Sequence, residues 1–507
     1  NQLGVEFVNL GQIAISKDVI NKIPAKIATY YKLIPIDFSN NILTIATANP
    51  SDVNIIDGVS LVVSEKIKTV LASEKDILES IRTYYGVGAE TIDQMMESAQ
   101  IKPLQKKNED LAEIDNEASI AKFLNQVLIE AYENRATDIH IEPYENELTI
   151  RYRIDGVLSD TQLPANINHF KDSINARIKI MSNLNIAEKR LPQDGRFKVK
   201  IGTANLDLRV SFLPTQFGES VVIRLLRSNS LFSLGNLGLS ETDLTKLDGL
   251  LKKPHGIIFV TGPTGSGKTT TLYACLSHIN SSENKIITIE DPIEYQLKGI
   301  MQMQIHPEIG LTFARGLRSM LRHDPDVMMV GEVRDIETAR TAVQIAMTGH
   351  LIFSTLHTND AASGVTRLID MGIDPFLVTS SVECFIAQRL IRTLCPKCKT
   401  PFKTTSENIK KNFGIDPQVN GEITLYENIG CKACNSSGFH GRSAIYEFLI
   451  LNDEIREMIM QKASATQLKN KAMSQGMTTL MQAGWQKVQQ GSTTISEIIR
   501  VTKEDYK

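Results

Sequence analysis

Residues 262 to 269 decide the fold, and they read Gly262-Pro263-Thr264-Gly265-Ser266-Gly267-Lys268-Thr269. An apolar run, 256–260, precedes them and a plausible helix, 270–279, follows. Glycines let such a loop wrap a phosphate with its N–H groups pointing inward, and the helix start adds partial positive charge. Lys268 is then expected to reach the β- and γ-phosphates, and the Thr269 hydroxyl to bind Mg²⁺. The predicted ATP-binding residues are these eight together with Thr270.

The composition is that of an ordinary globular protein. Its 507 residues are 42% hydrophobic and 22% charged, a length that predicts about two to four domains. The formal net charge of −3 gives no broad basic field, so we expect no nucleic-acid partner. The most apolar stretches have strand length and fall short of the ~20 residues of a membrane span. No secretory leader is visible at Asn1.

The apolar pattern divides the chain into four segments. They are an N-terminal α/β docking module at 1–85, a flexible linker at 86–116, a second α/β domain at 117–232 and a nucleotide-binding domain at 233–507. In the second domain, a helix over 118–134 should lead into a hairpin. Later strands of that domain carry Arg209 and Arg224. In the last domain, alternating strands and helices predict a parallel sheet.

Two acidic groups follow predicted strands of the last domain. The strand 286–289 leads into Glu290-Asp291-Pro292-Ile293-Glu294, and the strand 327–330 leads into Gly331-Glu332. Carboxylates at neighbouring strand ends are suited to hold a metal and orient water, so we predict these roles for Glu290, Asp291, Glu294 and Glu332. Either Glu294 or Glu332 is the candidate base. The alternative for Glu290 and Asp291 is capping of a helix start.

Two histidines bracket another apolar strand, 351–354. His350 precedes the strand, and His357 follows it within Thr355-Leu356-His357. Since this strand should lie beside the phosphate loop, we predict that both histidines sense the γ-phosphate. A structural role is the alternative for each.

Several arginines are candidates for compensating phosphate charge. Arg315, Arg318 and Arg322 recur at helical spacing, so they should share one helix face. The other candidates are Arg334, Arg209 and Arg224. Arginines from a neighbouring domain or subunit can accelerate phosphoryl transfer by ~10³ to 10⁵. A solvated basic stripe is the alternative.

Four of the six cysteines form two Cys-x-x-Cys pairs. The pairs are Cys395 with Cys398 and Cys431 with Cys434. Four thiolates suit a tetrahedral, structural Zn²⁺, and we predict a zinc module over 391–442; disulfide or redox use is the alternative. Because free paired cysteines are typical of a reducing compartment, we expect a cytoplasmic location. Cys275 and Cys384 lie in apolar surroundings and should be inert core residues.

Together these motifs resemble the secretion and pilus-assembly ATPases of the GspE/PilB family, over nearly the whole chain. The matching parts are the phosphate loop, the aspartate box 289–294, the strand end 330–335, the histidine box 348–360 and the four cysteines. The resemblance implies an α/β fold with a RecA-like ATPase domain and zinc subdomain, preceded by two smaller α/β domains. It also implies a homo-hexamer in which each preceding domain completes a neighbour's ATP site. The first module would dock to an inner-membrane platform protein and so attach the ring peripherally to the membrane.

The resemblance favours a motor that assembles a pseudopilus in type II secretion. Residues 313–318 and 367–372 look more like the secretion branch, while the N-terminal module looks more like pilus-extension motors, which are the alternative. A nucleic-acid translocase is an alternative of another class, which the neutral charge disfavours. A scaffold that binds ATP without hydrolysing it is a third, and Lys268, Thr269 and Glu332 argue against it.

Overall fold

The computed structural model describes residues 5–60, 62–86, 88–89, 91–92, 109–164, 166–227, 232–413 and 421–502. The chain forms two compact units, Asn1–Asn229 and Ser230–Lys507. The second unit begins close to the predicted start of the last domain at residue 233. Within the described ranges, no helix has the length and apolar character needed to cross a membrane.

The first unit contains two sheets and six described helices. Its strands are β1 (Leu33–Ser39), β2 (Ile42–Thr47), β3 (Lys66–Leu71), β4 (Ala136–Pro143), β5 (Leu148–Ile154), β6 (Val157–Asp160), β7 (Gln193–Ile201), β8 (Ala204–Thr215) and β9 (Gly218–Arg227). Its helices are α1 (Lys17–Ile20), α2 (Ala25–Tyr30), α3 (Val53–Ser60), α4 (Glu74–Tyr85), α5 (Glu109–Glu133) and α6 (Lys171–Met181). Strands β1 to β3 form one sheet. The other is antiparallel, in the order β6-β5-β4-β9-β8-β7.

Each sheet of the first unit has its own core. Residues between Leu10 and Ile81 pack around the small sheet, and residues between Ile92 and Leu225 pack around the large one. In β5, Leu148, Ile150 and Tyr152 are buried on one face, as the alternation predicts. These two separate cores explain why the sequence predicts two small modules in this part of the chain.

The helix that follows the predicted linker is longer than expected. Helix α5 begins at Glu109, whereas the sequence placed the start near residue 118. The prediction was wrong because it assigned residues 109–117 to a polar linker, although Leu111 and Ile114 stand at helical spacing among good helix formers. The rest of the predicted linker lies mainly at 93–108, outside the described residues.

The second unit is a sheet covered by helices on both faces. Its strands are β10 (Gly256–Thr261), β11 (Ile286–Glu290), β12 (Met301–Gln304), β13 (Val327–Val330), β14 (Leu351–Leu356), β15 (Val382–Leu394), β16 (Lys399–Thr405), β17 (Glu422–Asn428) and β18 (Phe439–Ile450). Its helices are α7 (Glu241–Leu251), α8 (Lys268–Ile279), α9 (Phe313–Met320), α10 (Ile336–Met347), α11 (Ala362–Asp370), α12 (Pro375–Ser381), α13 (Ser406–Phe413), α14 (Asp453–Met460), α15 (Ala465–Ser474), α16 (Leu480–Gln489) and α17 (Ile495–Thr502).

The main sheet of the second unit has the order β12-β11-β13-β14-β10-β15-β18. All neighbouring strands are parallel except β18, which is antiparallel to β15. In β10, Ile257 and Phe259 point into one core while Ile258 and Val260 point into the other. Burial on both faces explains the continuous apolar runs in the sequence. The carboxyl ends of β10, β11, β13 and β14 meet at one edge, where parallel sheets bind ligands.

Candidate functional site

The phosphate loop follows β10 and leads directly into α8. Gly262, Gly265 and Gly267 have φ angles of 150°, 79° and 90°, which L-residues with side chains rarely adopt. A Cβ at Gly262 would lie 2.6 Å from the Ser266 Oγ, and one at Gly267 would lie 2.8 Å from the Gln388 Nε2. The loop therefore requires glycine for both conformation and space.

Lys268 is held inside its own loop. Its Nζ donates hydrogen bonds to the carbonyl oxygens of Gly262 and Pro263, at 2.8 and 3.0 Å. Burial lowers the pKa of Lys268 to about 8; the nearby Arg389 charge also lowers it, and the Glu332 carboxylate opposes the shift. A bound phosphate would replace the carbonyl partners with a charged one, so the loop is prepared for an anion.

The acid at the end of β11, Glu290, is buried and already hydrogen-bonded. Its carboxylate accepts from the hydroxyl of Tyr273, from the Thr288 Oγ1 at 2.6 Å and from the Gln302 Nε2 at 3.1 Å. The Tyr273 hydroxyl in turn accepts from the Glu294 N–H at 3.3 Å. Glu290 thus fastens α8 to the aspartate box.

The rest of the aspartate box is more open, and Asp291 is exposed. Residues 291–300, all of them described, form bends and turns. The alternative reading of Glu290 and Asp291 as caps of a helix start is therefore wrong, because no helix begins there.

Glu332 follows β13 and is nearly buried, with 12% of its side chain exposed. Its Oε2 lies 2.7 Å from the Arg334 Nε and 3.3 Å from the His357 Nε2. Among the predicted acids and histidines, Glu332 and His357 are brought into direct contact. The charge of Glu332 also reaches Lys268, as the pKa of that lysine records.

His350 lies at the wrong end of its strand for the predicted role. In the β10–β14 ladder, Gly256 is the partner of Leu351 and Thr261 is the partner of Leu356. His350 therefore flanks the start of β10, whereas the phosphate loop follows its end. Its Nδ1 contacts the carbonyl oxygen of Ile345 at 3.1 Å. Within its own unit, His350 therefore lies at the opposite end of the strands from the phosphate loop, which favours the structural alternative.

The three predicted arginines at helical spacing have partners outside the phosphate loop. Arg318 pairs with Glu337 at 3.0 Å, and Arg315 donates to the carbonyl oxygen of Gly310 at 3.2 Å. Arg322 donates to the carbonyl oxygen of Arg318 at 3.0 Å.

Arg209 and Arg224 belong to the first unit. They are cross-strand partners on β8 and β9. The Nε of Arg224 lies 3.0 Å from the Asp138 carboxylate, and 54% of the Arg224 side chain is exposed.

Gln388 and Arg389 of β15 are site residues that the sequence analysis missed. The Gln388 Oε1 accepts a hydrogen bond from the Thr271 Oγ1 at 2.8 Å. The Arg389 Nη2 donates to the carbonyl oxygen of Asn359, in the histidine box, at 2.7 Å. These residues link the phosphate-loop helix to the segment after His357. The signal available was weak, since a Gln-Arg pair inside an apolar strand indicates only that the two polar side chains have partners.

The four cysteines converge, although 32 residues separate the two pairs in sequence. Their sulfur atoms all lie within 4.8 Å of one another. The Cys395–Cys431, Cys398–Cys434 and Cys431–Cys434 separations are 3.9, 3.8 and 3.7 Å. Sulfurs at 2.3 Å from a tetrahedral zinc would be roughly 3.8 Å apart, so the donor set fits this ion.

One thiol of the cluster is prepared for ionisation. Burial opposes ionisation of Cys434, but the N–H groups of Cys431 and Gly438 donate to its sulfur and lower its pKa to about 7. A thiolate is the form that binds metals.

Comparison with known proteins identifies the family. The model of the type II/IV secretion system protein family matches residues 113–500. The chain belongs to this family. A second family model, the MshEN domain, matches residues 3–91.

Individual members of the secretion family resemble the chain over most of its length. It is 41% identical to the type IV pilus assembly ATPase PilB of Myxococcus xanthus, over 99% of the chain and 90% of that protein. It is 44% identical to the type II secretion system protein E of Xanthomonas campestris, over 94% of the chain and 83% of that protein. The type II secretion system ATPase E of Vibrio cholerae is 46% identical over 85% of the chain and 84% of its own length. This type II/IV secretion family member is therefore an ATPase, as the phosphate loop predicts.

A solved structure supports the fold. The ATPase DotB of Legionella pneumophila aligns with a TM-score of 0.56 at 21% identity, covering 76% of the chain and 96% of DotB. The RecA-like expectation for the second unit is confirmed.

Proposed function

We propose that this family member hydrolyses ATP with Glu332 as the residue that orients and activates the attacking water. The observation that carries the proposal is the contact of Glu332 with Arg334 and His357, within electrostatic reach of Lys268. Glu294 remains the alternative base. Lys268 would bind the β- and γ-phosphates, and Thr269 would hold Mg²⁺, which neutralises phosphate charge when bound.

The first test compares ATP turnover of the wild type with that of Glu332→Gln and Glu294→Gln. Glutamine keeps the shape of the side chain but cannot accept the proton of water, so the true base variant should lose about 10²- to 10⁴-fold in kcat. Nucleotide affinity should be retained. Glu454→Gln, which changes a surface acid of α14, is the matched control. Full activity of Glu332→Gln would overturn this assignment.

We further propose that the chain works as a homo-hexamer in which Arg209 and Arg224 complete the ATP site of a neighbouring subunit. Both lie on adjacent strands of the first unit, and Arg224 is half exposed. A subunit with Arg224→Ala has an intact phosphate loop, and one with Lys268→Ala has intact arginines. Mixing the two inactive variants should restore part of the ATPase activity. Some subunit interfaces would then combine an intact phosphate loop from one subunit with intact arginines from its neighbour. Arginines that act within their own subunit would give no such recovery.

We propose that turnover drives assembly of a pseudopilus in type II secretion, with pilus extension as the alternative. Both kinds of protein occur among the relatives. The N-terminal module would dock to an inner-membrane platform protein, and so place a cytoplasmic ring at the membrane. In a host that has both systems, Lys268→Ala in this gene should block secretion of exoproteins while leaving surface pili. Loss of pili alone would favour the alternative.

The four-cysteine cluster is proposed to hold one structural Zn²⁺. All four positions of a tetrahedral ion would be filled by Cys395, Cys398, Cys431 and Cys434, which leaves none for substrate. The ion would fasten the end of β15 to the loop before β18. Metal analysis of purified protein should find about one zinc per chain, and this zinc should be absent from Cys431→Ser.

A further inference from the structure

A buried carboxylate, Glu447 of β18, joins the beginnings of two helices. Its Oε1 accepts a hydrogen bond from the N–H of Ala361 at 3.0 Å, directly before α11. Its Oε2 accepts one from the N–H of Leu480 at 3.3 Å, the first residue of α16. Glu447 is 0% exposed. Because helix starts carry partial positive charge, one carboxylate bonded to two of them fixes their separation.

A second carboxylate, Asp360, is connected to Glu447 through a lysine. The Nζ of Lys469 on α15 lies 3.2 Å from the Asp360 Oδ2 and 3.8 Å from the Glu447 Oε2. Burial opposes ionisation of Asp360, but the N–H of Ser363 and the Lys469 ammonium hold its pKa below the usual range. Asp360, Lys469 and Glu447 thus form one charged triad, in which Glu447 is buried and the other two side chains are 16% and 18% exposed.

The triad lies at the end of the segment that carries His357. His357 contacts Glu332 at 3.3 Å, and only Thr358 and Asn359 separate it from Asp360 in the chain. The Thr358 Oγ1 donates to the carbonyl oxygen of Asp360 at 3.0 Å. Since so short a segment extends over at most about 10 Å, a displacement of Asp360 is passed on to His357.

We propose that Lys469 is a positioning residue for ATP hydrolysis, which holds His357 beside Glu332 by fixing Asp360 against Glu447. The inference rests on the proposed role of Glu332. Ion pairs with a buried carboxylate seldom add net stability, so a fixed geometry is the better physical reason for placing a lysine between Asp360 and the buried Glu447. Without the lysine, two carboxylates would face each other with no cation between them, and the histidine segment would move.

The experiment measures kcat and KM for ATP on the full-length chain carrying Lys469→Met, which keeps the length of the side chain and removes its charge. We expect kcat to fall about ten- to a hundredfold, because small misplacements of catalytic groups have effects of this size. KM and the affinity for ADP should change less than about twofold, since Lys469 pairs with Asp360 and Glu447. Lys469→Arg, which keeps the charge, should recover most of kcat.

The matched control is Lys471→Met, on the same helix, where the lysine pairs with Glu454 at the surface. An equal fall in kcat for both variants would overturn the proposal, as would unchanged kcat in Lys469→Met. A fall in kcat that a lowered melting temperature explains by itself would also overturn the proposal. In that case Lys469→Arg should not recover activity. Glu332→Gln is measured alongside. If that variant stays active, the proposed base is wrong; if it is inactive while Lys469→Met is normal, only the positioning role fails.

Discussion

The phosphate loop and the four-cysteine cluster each prepare a place for a ligand, but they are supported differently. Around the loop, Lys268 bonds to its own carbonyls, Glu290 bonds to three neighbouring side chains, and β10 is buried on both faces. In the cluster, the thiols contact one another and the backbone groups of Cys431 and Gly438. Strand β17, which lies close to the cluster in sequence, contributes Leu425 to a small core that also contains Ile409 and Trp485.

The difference follows from how long each ligand stays. A nucleotide must leave after every turnover, so its site has to keep its shape by protein contacts alone. A structural metal remains bound, so its binding energy can replace a hydrophobic core. We therefore expect changes at the loop to affect activity and changes at the cluster to affect stability.

The largest expected effect is that of Lys268→Ala on activity. Removing a preorganised cation at the phosphates should reduce ATP turnover by about 10²- to 10³-fold or more. The melting temperature should change little, because Lys268 is costly to bury and one of its two acceptors, the Pro263 carbonyl oxygen, also accepts from the Ser266 N–H at 3.3 Å. Turnover and thermal denaturation measured on one preparation would test this. Strong destabilisation would contradict the comparison, since the loop would then depend on its lysine to fold.

Metal removal from the four-cysteine cluster should affect stability rather than activity, the opposite of the loop variant. A strong chelator should lower the melting temperature by roughly 5–10 °C, through loss of a few kcal/mol of metal binding. Limited proteolysis should then cut first within 399–428. Cys431→Ser provides the control, because it should melt low from the start and not respond to chelator. An unaltered melting temperature after verified zinc loss would mean that the small core around Leu425 is enough to keep this region folded without the metal.

Tyr273→Phe should lower the free energy of unfolding by about 1–3 kcal/mol, because the buried Glu290 loses a hydrogen-bond donor. Tyr446→Phe is the matched variant. That hydroxyl donates to the neutral carbonyl of Leu237 at 3.1 Å, so its loss should cost less. Denaturant unfolding of both variants would measure the difference. Equal costs would show that the charge of Glu290 adds nothing to the connection between α8 and the aspartate box.

The smallest effect concerns pH. The pKa of Lys268 without nucleotide is about 8, and bound phosphates should raise it. Binding then takes up a proton above pH 8, so affinity should be constant just below that pH and fall above it, by at most about tenfold per pH unit. Calorimetric titration with ADP between pH 7.5 and 9, in buffers of different ionisation enthalpy, would detect the proton. A constant affinity across this range would mean that the lysine stays charged without nucleotide.

Some of the site was predictable because its residues are contiguous. The phosphate loop and both cysteine pairs lie within short stretches in which the spacing of residues indicates their chemistry. The buried strands are recognisable in the sequence as apolar runs. Alternation in β5 was enough to place Leu148, Ile150 and Tyr152 on the face that packs into the core. The start of α5 was missed, because only Leu111 and Ile114 carry the helical period within a stretch that is otherwise mainly polar.

The sequence by itself determined the nucleotide-binding fold, the glycine-rich loop that is proposed to hold phosphates and the four cysteines that are proposed to bind a metal. The tertiary structure decided which partners the other candidates have: His357 rather than His350 faces Glu332, and Glu290 is bound to Tyr273. It also brought together Asp360 and Lys469, which are 109 positions apart in the chain. The physical reason is that strand order and register set these contacts. Residue spacing along one segment carries no information about which strand end a distant side chain will meet.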